Sequence, residues 1–267
     1  MKVLVTGATG GIGKCVTEYL ASQGVHVYAC DIVESDFAYK NVEFIKMDVQ
    51  DESSIREVFE LLSSKGVTLD AIVNVAGIFM IDSFIEAPSN KLKQIFDVNL
   101  LGAIQVNKIL FPLLKPAGRI IITTSDVAPL DPMPFNGIYN VTKTALDAYA
   151  QALRQELNLL SYKVITIRPG AFDTPLSRAS LDKTAILAEN TVLYKEQSVK
   201  FYNLVKSFMG KPSNPKKLAK TYYKALTKKR PKIIYRKHPN MLLRLLNALP
   251  KKLQCAIIKT LLKPKKG

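Results

Sequence analysis

The fold of this chain is decided by residues 2–13, which read Lys2-Val3-Leu4-Val5-Thr6-Gly7-Ala8-Thr9-Gly10-Gly11-Ile12-Gly13. The run Lys2–Thr6 predicts a short buried strand, and a helical pattern of apolar residues begins near Gly11. A strand, a glycine-rich turn and a helix in this order point backbone N–H groups and a positive helix end at a phosphate. Glycines suit the turn because a Cβ would block the approach of a pyrophosphate. The stretch predicts a dinucleotide site, and a purely structural turn is the alternative.

A second motif, Tyr139-Asn140-Val141-Thr142-Lys143, lies near the start of a segment that predicts a helix, Gly137–Leu160. Residues four apart share one helix face, so the phenol and the ammonium are neighbours. A free tyrosine has a pKa of about 10, too high for a base at neutral pH. A nearby ammonium lowers this pKa because it favours the phenolate. The pair predicts hydride-transfer chemistry with a tyrosine acid/base, and an ordinary surface pair is the alternative.

Further candidate cofactor residues follow other predicted strands. Asp31 follows the predicted strand Val25–Cys30, at the roughly 20-residue spacing of the acid that binds adenosine ribose hydroxyls. A carboxylate there accepts from a 2′-OH and repels a 2′-phosphate, which favours NAD over NADP. Asp48-Val49 follows the strand Val42–Met47, and Asn74-Val75-Ala76-Gly77 follows the strand Ala71–Val73. Small residues at these carboxyl ends leave room for a ligand in the crevice of an open sheet.

The remaining predicted elements continue the alternation of strands and helices, which indicates one α/β unit with a doubly wound parallel sheet of about seven strands. Helices are predicted over Ser53–Ser64, Lys91–Leu114 and Gly137–Leu160, and strands over Gly118–Thr124, Lys163–Arg168 and Lys232–Arg236. We expect a catalytic Rossmann-type domain over residues 1–236, with residues 175–212 as an insertion that covers the substrate, and a basic tail over residues 237–267. The apolar residues of the insertion either line a pocket or pack as a lid: Leu176, Leu181, Ile186, Leu187, Val192, Leu193 and Tyr194.

With these motifs the sequence resembles the short-chain dehydrogenase/reductase family, in its compact single-domain branch, over about residues 1–236. Gly7, Gly11 and Gly13 match the family's glycine loop, and Asn74–Gly77 match its NNAG element, with Val75 in place of the second Asn. Tyr139 and Lys143 match the YxxxK pair, and Pro169–Thr174 match PGxxxT. Gly7, Gly10 and Gly13 also fit the longer epimerase-like relatives. The Asn-x-Ala-Gly element and the short chain favour the compact branch.

The resemblance implies an oxidoreductase that acts on CH–OH groups. It implies these catalytic residues: Asn99, Ser125, Tyr139 and Lys143. It implies these cofactor-binding residues: Gly7, Thr9, Gly11, Ile12, Gly13, Asp31, Asp48, Val49, Asn74, Ala76, Gly77, Tyr139, Lys143, Pro169, Gly170, Phe172 and Thr174. Lys143 would also grip the nicotinamide ribose, Thr174 the carboxamide, and Asn99 a water that links Lys143 to solvent. No metal is expected.

The serine position departs from the family pattern. The family's Ser usually lies about 12 or 13 residues before the Tyr, where this chain has Val127 and Asp126, and Ser125 lies 14 residues before Tyr139. Either a longer loop, Asp126–Pro134, lets Ser125 hold the substrate oxygen, or Asp126 occupies the site. We favour Ser125 because an anionic carboxylate would oppose the oxyanion character that develops on the substrate.

Charge is concentrated in the last part of the chain. Residues 1–210 carry 20 Lys/Arg and 22 Asp/Glu, whereas residues 211–267 carry 18 Lys/Arg and no acid. Two amphipathic helices are predicted within the tail, Met241–Leu249 and Leu253–Leu262. Such basic amphipathic helices suit an anionic membrane surface, or they pack on the domain or on a partner subunit. Nucleic acid is not expected, because the tail lacks aromatic stacking platforms and a recognisable binding motif.

Composition and resemblance complete the expectations. The first strand begins directly after Met1, so we expect no secretory signal. Three cysteines without metal-like spacing suggest a reducing cytosol, and we expect a cytoplasmic protein with peripheral membrane attachment as an option. Similar basic, leucine-rich tails occur in relatives that act on steroids and retinoids, which favours a lipophilic, hydroxysteroid-like secondary alcohol or ketone. Relatives often form dimers or tetramers. Two alternatives stay open: an NADP-dependent reductase of a ketoacyl intermediate, and an NAD(H)-sensing regulator without turnover.

Overall fold

The computed structural model describes residues 1–208 and 213–263, and over these residues the chain forms one parallel sheet of seven strands. In chain order the strands are β1 (Lys2–Thr6), β2 (His26–Asp31), β3 (Val42–Lys46), β4 (Leu69–Asn74), β5 (Leu114–Thr123), β6 (Lys163–Pro169) and β7 (Ile234–Lys237). Across the sheet their order is β3-β2-β1-β4-β5-β6-β7. The doubly wound Rossmann-type sheet that the sequence predicts is confirmed. The order reverses between β1 and β4, so a crevice opens at their carboxyl ends.

Helices cover both faces of the sheet. They are α1 (Gly11–Ser22), α2 (Glu52–Ser64), α3 (Ser89–Phe96), α4 (Gly102–Leu110), α5 (Gly137–Asn158), α6 (Pro175–Asn190), α7 (Lys195–Phe208), α8 (Pro215–Thr227), α9 (Met241–Asn247) and α10 (Lys251–Leu262). Alternation along β1 separates the two cores, because Leu4 packs on the α2, α4 and α5 side while Val3 and Val5 face α1 and α8.

The long helix predicted over Lys91–Leu114 is interrupted in the structure. A π-helical turn, Asp97–Leu101, joins α3 to α4, and a 3₁₀ turn, Phe111–Leu113, leads into β5. Apolar periodicity over so short a segment does not distinguish one wider turn, which absorbs an extra residue, from a regular helix. Single π turns are frequent at functional sites, and this one carries Asn99.

The insertion and the tail form a smaller core beside the sheet. Phe135, Leu187, Phe201 and Leu262 are buried together, so helices α6, α7 and α10 meet at one place. The predicted lid residues divide: Leu187 and Tyr194 pack in this cluster, whereas Ile186, Val192 and Leu193 are exposed. The side chain of Leu176 and residues 209–212 and 264–267 lie outside the described part. Within the described ranges, no helix is both long and apolar enough to span a membrane.

Candidate active site

The glycine loop after β1 is packed so closely that side chains are excluded at three positions. Gly7 has φ +64°, and a Cβ there would lie 2.6 Å from the Cα of Ala76. A Cβ on Gly11 would lie 2.6 Å from the Cβ of Thr174, and one on Gly13 would collide with the carbonyl oxygen of Gly7. At Gly10 the nearest atom would be at 3.4 Å. The tight packing therefore falls on Gly7, Gly11 and Gly13, the pattern of the compact branch.

A cavity of about 440 Å³ opens at the carboxyl ends of β1 and β4, above this loop. Most of the expected cofactor residues line it: Gly7, Thr9, Gly11, Ile12, Gly13, Asp31, Asp48, Val49, Ala76, Gly77, Tyr139, Lys143, Pro169 and Thr174. These positions lie in the loop after β1, at the start of α1, at the ends of β2 and β6, in α5, and in the segments that follow β3, β4 and β6. The reversal of strand order thus brings residues from distant parts of the chain to one site.

Three expected cofactor residues lie beside the cavity without lining it. Asn74 is buried in the sheet, where its Nδ2 donates to the Oδ1 of Asn107 at 2.8 Å. Gly170 packs against the backbone of His238, and Phe172 is buried with its ring edge-on to the His238 ring, at 5.2 Å between centroids. These residues shape the walls of the site through the backbone and the core.

Asp31 lies at the end of β2, at the far side of the cavity from Tyr139. Its Oδ2 accepts the N–H of Thr9 at 3.0 Å, and its Oδ1 accepts the N–H of Val33 at 3.2 Å. The carboxylate therefore also holds the glycine loop in place. Ile32 and Val33 line the cavity beside it and are exposed. The sequence analysis overlooked this apolar pair, although two branched aliphatic residues directly after a strand-end acid are a usable signal for an adenine wall.

The donor set fits a dinucleotide. The glycine loop leads into the N-terminus of α1, where backbone N–H groups and the helix dipole favour a pyrophosphate. The Asp31 carboxylate, whose oxygens suit hydroxyl donors, lines the cavity from β2, and the Tyr139 and Lys143 pair lines it from α5. Within residues 1–208 and 213–263, no group of three or more His, Cys, Asp or Glu side chains is arranged to hold a metal ion.

Tyr139 and Lys143 lie in the first two turns of α5, with the Lys143 Nζ 5.8 Å from the centroid of the Tyr139 ring. Lys143 is 4% exposed, and its ammonium donates to the carbonyl oxygen of Thr123 at 3.4 Å. Phe79 packs edge-on against the Tyr139 ring at 4.8 Å between centroids. Sequence analysis did not identify Phe79, because nothing in its local pattern distinguishes it from other loop aromatics.

Burial governs the charges of this pair. Desolvation raises the pKa of Tyr139 to about 12, and the charge of Asp126 adds to the rise while the Ser125 hydroxyl opposes it. Desolvation also lowers the pKa of Lys143 to about 8. Burial therefore opposes the phenolate, the form that the Lys143 ammonium and a positively charged nicotinamide would favour. The phenol stays protonated near neutral pH, as a proton donor must.

Ser125 follows β5 and lies next to the phenol of Tyr139, whereas Asp126 turns towards the tail. Ser125 is buried, and its Oγ lies 3.4 Å from the Oδ1 of Asp126. The Oδ2 of Asp126 accepts the backbone N–H of Asn240 at 3.0 Å. Burial raises the pKa of Asp126, and the bond from Asn240 opposes this rise. This geometry favours Ser125 as the residue that meets a substrate oxygen.

Asn99 is fully buried in the π turn, and its side chain holds the loop after β4. Its Oδ1 accepts the N–H of Ile78 at 2.8 Å, and its Nδ2 donates to the carbonyl oxygen of Ile78 at 2.9 Å and to the Oγ1 of Thr142 at 3.1 Å. Asn99 thus links the cavity floor at Ile78 to the helix that carries Tyr139 and Lys143.

Polar contacts join the insertion to the segment between β4 and α3. The carboxylate of Glu86 accepts from the Thr191 hydroxyl at 2.6 Å and from the N–H groups of Val192 and Leu193 at 2.8 and 3.0 Å. These bonds lower the pKa of Glu86. Lys183 on α6 donates to the carbonyl oxygen of Phe79, the residue that packs on Tyr139. A single residue, Phe79, therefore separates the insertion from Tyr139.

Comparisons with known proteins agree with this geometry. A family model described as short chain dehydrogenase matches residues 1–185. The 3-ketodihydrosphingosine reductase of Bacteroides thetaiotaomicron is 25% identical over 230 residues, which cover 86% of this chain and 84% of the reductase. Estradiol 17-beta-dehydrogenase 2 of Rattus norvegicus is 32% identical over 197 residues, 68% of this chain and about half (51%) of that enzyme. The crystal structure of a short chain dehydrogenase family protein from Francisella tularensis subsp. tularensis SCHU S4 superposes with a TM-score of 0.74, at 26% identity, over 88% of this chain and 96% of that one.

Proposed function

The chain is an oxidoreductase of the short-chain dehydrogenase family, and we propose that it prefers NAD and interconverts a lipophilic secondary alcohol and its ketone. The observation that carries the proposal is the Tyr139 and Lys143 pair at one end of a cavity whose other end holds Asp31. The family uses nicotinamide cofactors, and a bound nicotinamide would supply the hydride donor or acceptor. The protein would supply binding, orientation and the proton.

The catalytic residues have separate roles in this proposal. Ser125 would hold the substrate oxygen, and Tyr139 would exchange its phenolic proton with that oxygen. Lys143 would stabilise the phenolate that forms, because a cation in a site of low dielectric constant favours the charged phenol. Its burial strengthens this interaction. Phe79 would exclude water from one face of the Tyr139 ring.

The substrate is proposed to be lipophilic, in the class of hydroxysteroids and related ketones. Two similar proteins are named for a ketodihydrosphingosine and for estradiol, and the cavity wall near the reacting pair is largely apolar, with Val75, Ile78, Val98 and the nearby Phe79. To test this, NADH formation and consumption are measured with hydroxysteroids, retinols, long-chain ketones and simple secondary alcohols. Turnover of one lipophilic class, and its loss in Tyr139→Phe, is the expected result. Equal turnover in that variant would contradict the assigned chemistry.

Reduction of a ketoacyl-type ketone is a second candidate, and one observation favours that direction. Burial raises the pKa of Tyr139 to about 12, which favours the protonated phenol, the form that would donate a proton to a ketone. The cofactor would still be NADH, since Asp31 opposes a 2′-phosphate. Rates with NADH and NADPH on a long-chain ketone, compared with rates of alcohol oxidation at the same pH, separate the two directions and the two cofactors.

We also propose that the tail faces an anionic membrane surface, from which a lipophilic substrate would arrive. Helices α9 and α10 leave large apolar side chains exposed beside lysines: Met241, Leu242, Leu245, Leu253 and Leu261. Residues 211–267 contain no acid, and each basic residue near an anionic bilayer contributes about 1 kcal/mol. Sedimentation with phosphatidylcholine vesicles, with and without phosphatidylserine, tests this. Binding that needs the anionic lipid and weakens in Leu245→Ser is expected, and equal binding to neutral vesicles contradicts it.

The domain arrangement and the assembly are proposals of the same kind. We propose that residues 1–236 form the catalytic domain, with residues 175–212 as its lid, and that residues 237–267 form the tail. We further propose a homodimer or homotetramer built on α4 and α5, where Leu101 and Val141 are exposed. Light scattering after size exclusion measures the assembly, and a monomer would contradict it.

A further inference from the structure

The loop that follows β5 carries Ser125 and is held in part by its backbone, since the N–H groups of Asp126, Ala128 and Leu130 donate to the carbonyl oxygens of Pro169, Ser125 and Val127. We call residues 125–136 the Ser125 loop. Pro129, Pro132 and Pro134 lie within it, and a proline has no N–H to donate. On its inner side the loop rests on α5, where Asn140 donates to the carbonyl oxygen of Val127 at 3.1 Å. Its outer side meets the tail.

The first contact with the tail lies directly beside the catalytic serine. The backbone N–H of Asn240 donates to the Oδ2 of Asp126 at 3.0 Å, while the Oδ1 of Asp126 lies 3.4 Å from the Ser125 Oγ. Asn240 also caps α9, because its side chain accepts the N–H of Leu243 at 3.1 Å. The start of α9 and the serine are therefore joined through the partly buried carboxylate of Asp126.

The second contact lies in the middle of the loop, at Asp131. The N–H of Asp131 donates to the Oδ1 of Asn247 at 2.7 Å. Its carboxylate forms an ion pair with Lys251 and accepts from the side chain of Gln254, and both bonds lower the pKa of Asp131. Gln254 is buried and donates in turn to the carbonyl oxygen of Leu249 at 2.7 Å. Asp131 thus binds both tail helices.

The third contact is apolar and lies at the far end of the loop. Phe135 is buried against Leu262 of α10, with Ile258 packed on the same cluster. Tail residues therefore hold the Ser125 loop at its start, middle and end, over sequence separations of more than 100 residues.

From these contacts we infer that the tail positions Ser125 for the reaction, and that Asp126 and Asp131 are positioning residues through which it does so. The inference rests on the proposed function. In this inference Asp126 does not replace the serine in the reaction. Its carboxylate faces the tail and fixes the position of the Ser125 hydroxyl. If the tail also binds a membrane, as proposed above, its helices would contact the bilayer and hold the Ser125 loop at the same time.

A double-mutant cycle tests this positioning role. Asn247→Ala combined with Lys251→Ala removes one hydrogen bond and one ion pair between the tail and Asp131, and Lys252→Ala removes an exposed charge next to them as the matched control. With a soluble secondary alcohol, kcat should fall by up to about tenfold in the tail variant, because the variant lacks a partly buried hydrogen bond and a solvent-exposed ion pair that hold the loop. NADH affinity, measured by the cofactor's own fluorescence, and the Lys252→Ala rate should not change.

The decisive comparison uses Ser125→Ala as the background. If the tail acts through Ser125, the tail substitutions should cause no further loss of kcat when the serine hydroxyl is absent. An equal loss in both backgrounds, or an unchanged kcat in the tail variant, would overturn the inference. Wild-type protein that turns over no alcohol or ketone would instead refute the proposed function, so the two failures are distinguishable.

Discussion

Substitution of Asp31 by Asn should convert cofactor preference without dismantling the glycine loop. The Asp31 carboxylate accepts the N–H of Thr9 at 3.0 Å and the N–H of Val33 at 3.2 Å. The Asn side chain keeps one acceptor oxygen for the Thr9 N–H of the glycine loop, while it loses the charge and the acceptor for the N–H of Val33 in the exposed segment after β2. Asp31→Asn therefore separates the electrostatic role of this residue from its structural role, which Asp31→Ala would not do.

The expected magnitude follows from two opposite effects of the charge. Hydrogen bonds to a charged acceptor contribute about 1.5–3 kcal/mol and neutral ones about 1 kcal/mol, so NADH affinity should fall about tenfold. Two unit charges 4 Å apart repel by about 4 kcal/mol at an effective dielectric constant of 20. Asp31 is half-exposed, so salt and solvent reduce this repulsion, and NADPH affinity should rise about tenfold. The ratio of the two dissociation constants should shift about 100-fold.

Titration of NADH and NADPH by fluorescence, at low and at physiological salt, measures both constants. Glu34→Gln is the matched control, because it removes an exposed carboxylate three residues away that does not line the cavity. The control should leave the ratio of the constants near its wild-type value. A ratio that is unchanged in Asp31→Asn, or that changes as much in Glu34→Gln, would refute the assignment of Asp31 to the adenosine ribose.

Three further predictions concern the reacting pair and the glycine loop. Tyr139→Phe should lower kcat by about 10²–10⁴-fold while NADH still binds, as single-turnover assays and fluorescence titration would show; a small loss would exclude Tyr139 as the proton donor. Because burial lowers the pKa of Lys143 to about 8, its ammonium is present at pH 6 and is lost as pH rises through about 8, so ketone reduction, which needs that cation beside the phenolate that forms, should fall over this range; a reduction rate that stays constant from pH 6 to 9 would contradict this. Gly10→Ala should retain NADH binding, because its Cβ would meet only an ordinary contact at 3.4 Å. Gly13→Ala should abolish NADH binding, because its Cβ would collide with the backbone of Gly7. Equal NADH affinities of the two variants in calorimetry would refute the loop geometry.

The features of the fold and of the site that could be predicted are those that depend on short stretches of sequence. Residues 2–13 contain a strand, a turn and a helix start within a few residues, and Tyr139 and Lys143 are brought together by one turn of a helix. Asp31 lies at the end of β2, a strand that its apolar residues predict and that pairs with β1. Each of these inferences depends only on local backbone geometry and on the alternation of strands and helices, which leaves few topologies.

The tertiary structure decided features that depend on contacts between distant residues. It placed Asn74 inside the sheet, set Asn99 in a π turn, and put Phe79 on the ring of Tyr139. Sequence analysis treated the tail as equally suited to a membrane or to packing. The structure joins it to the Ser125 loop through Asn240 and Asp126, 114 positions apart. Local pattern could not show this contact, because a basic amphipathic helix has the same periodicity whether its apolar face meets lipid or protein. Which face is buried follows from the complementary groups that the folded domain presents.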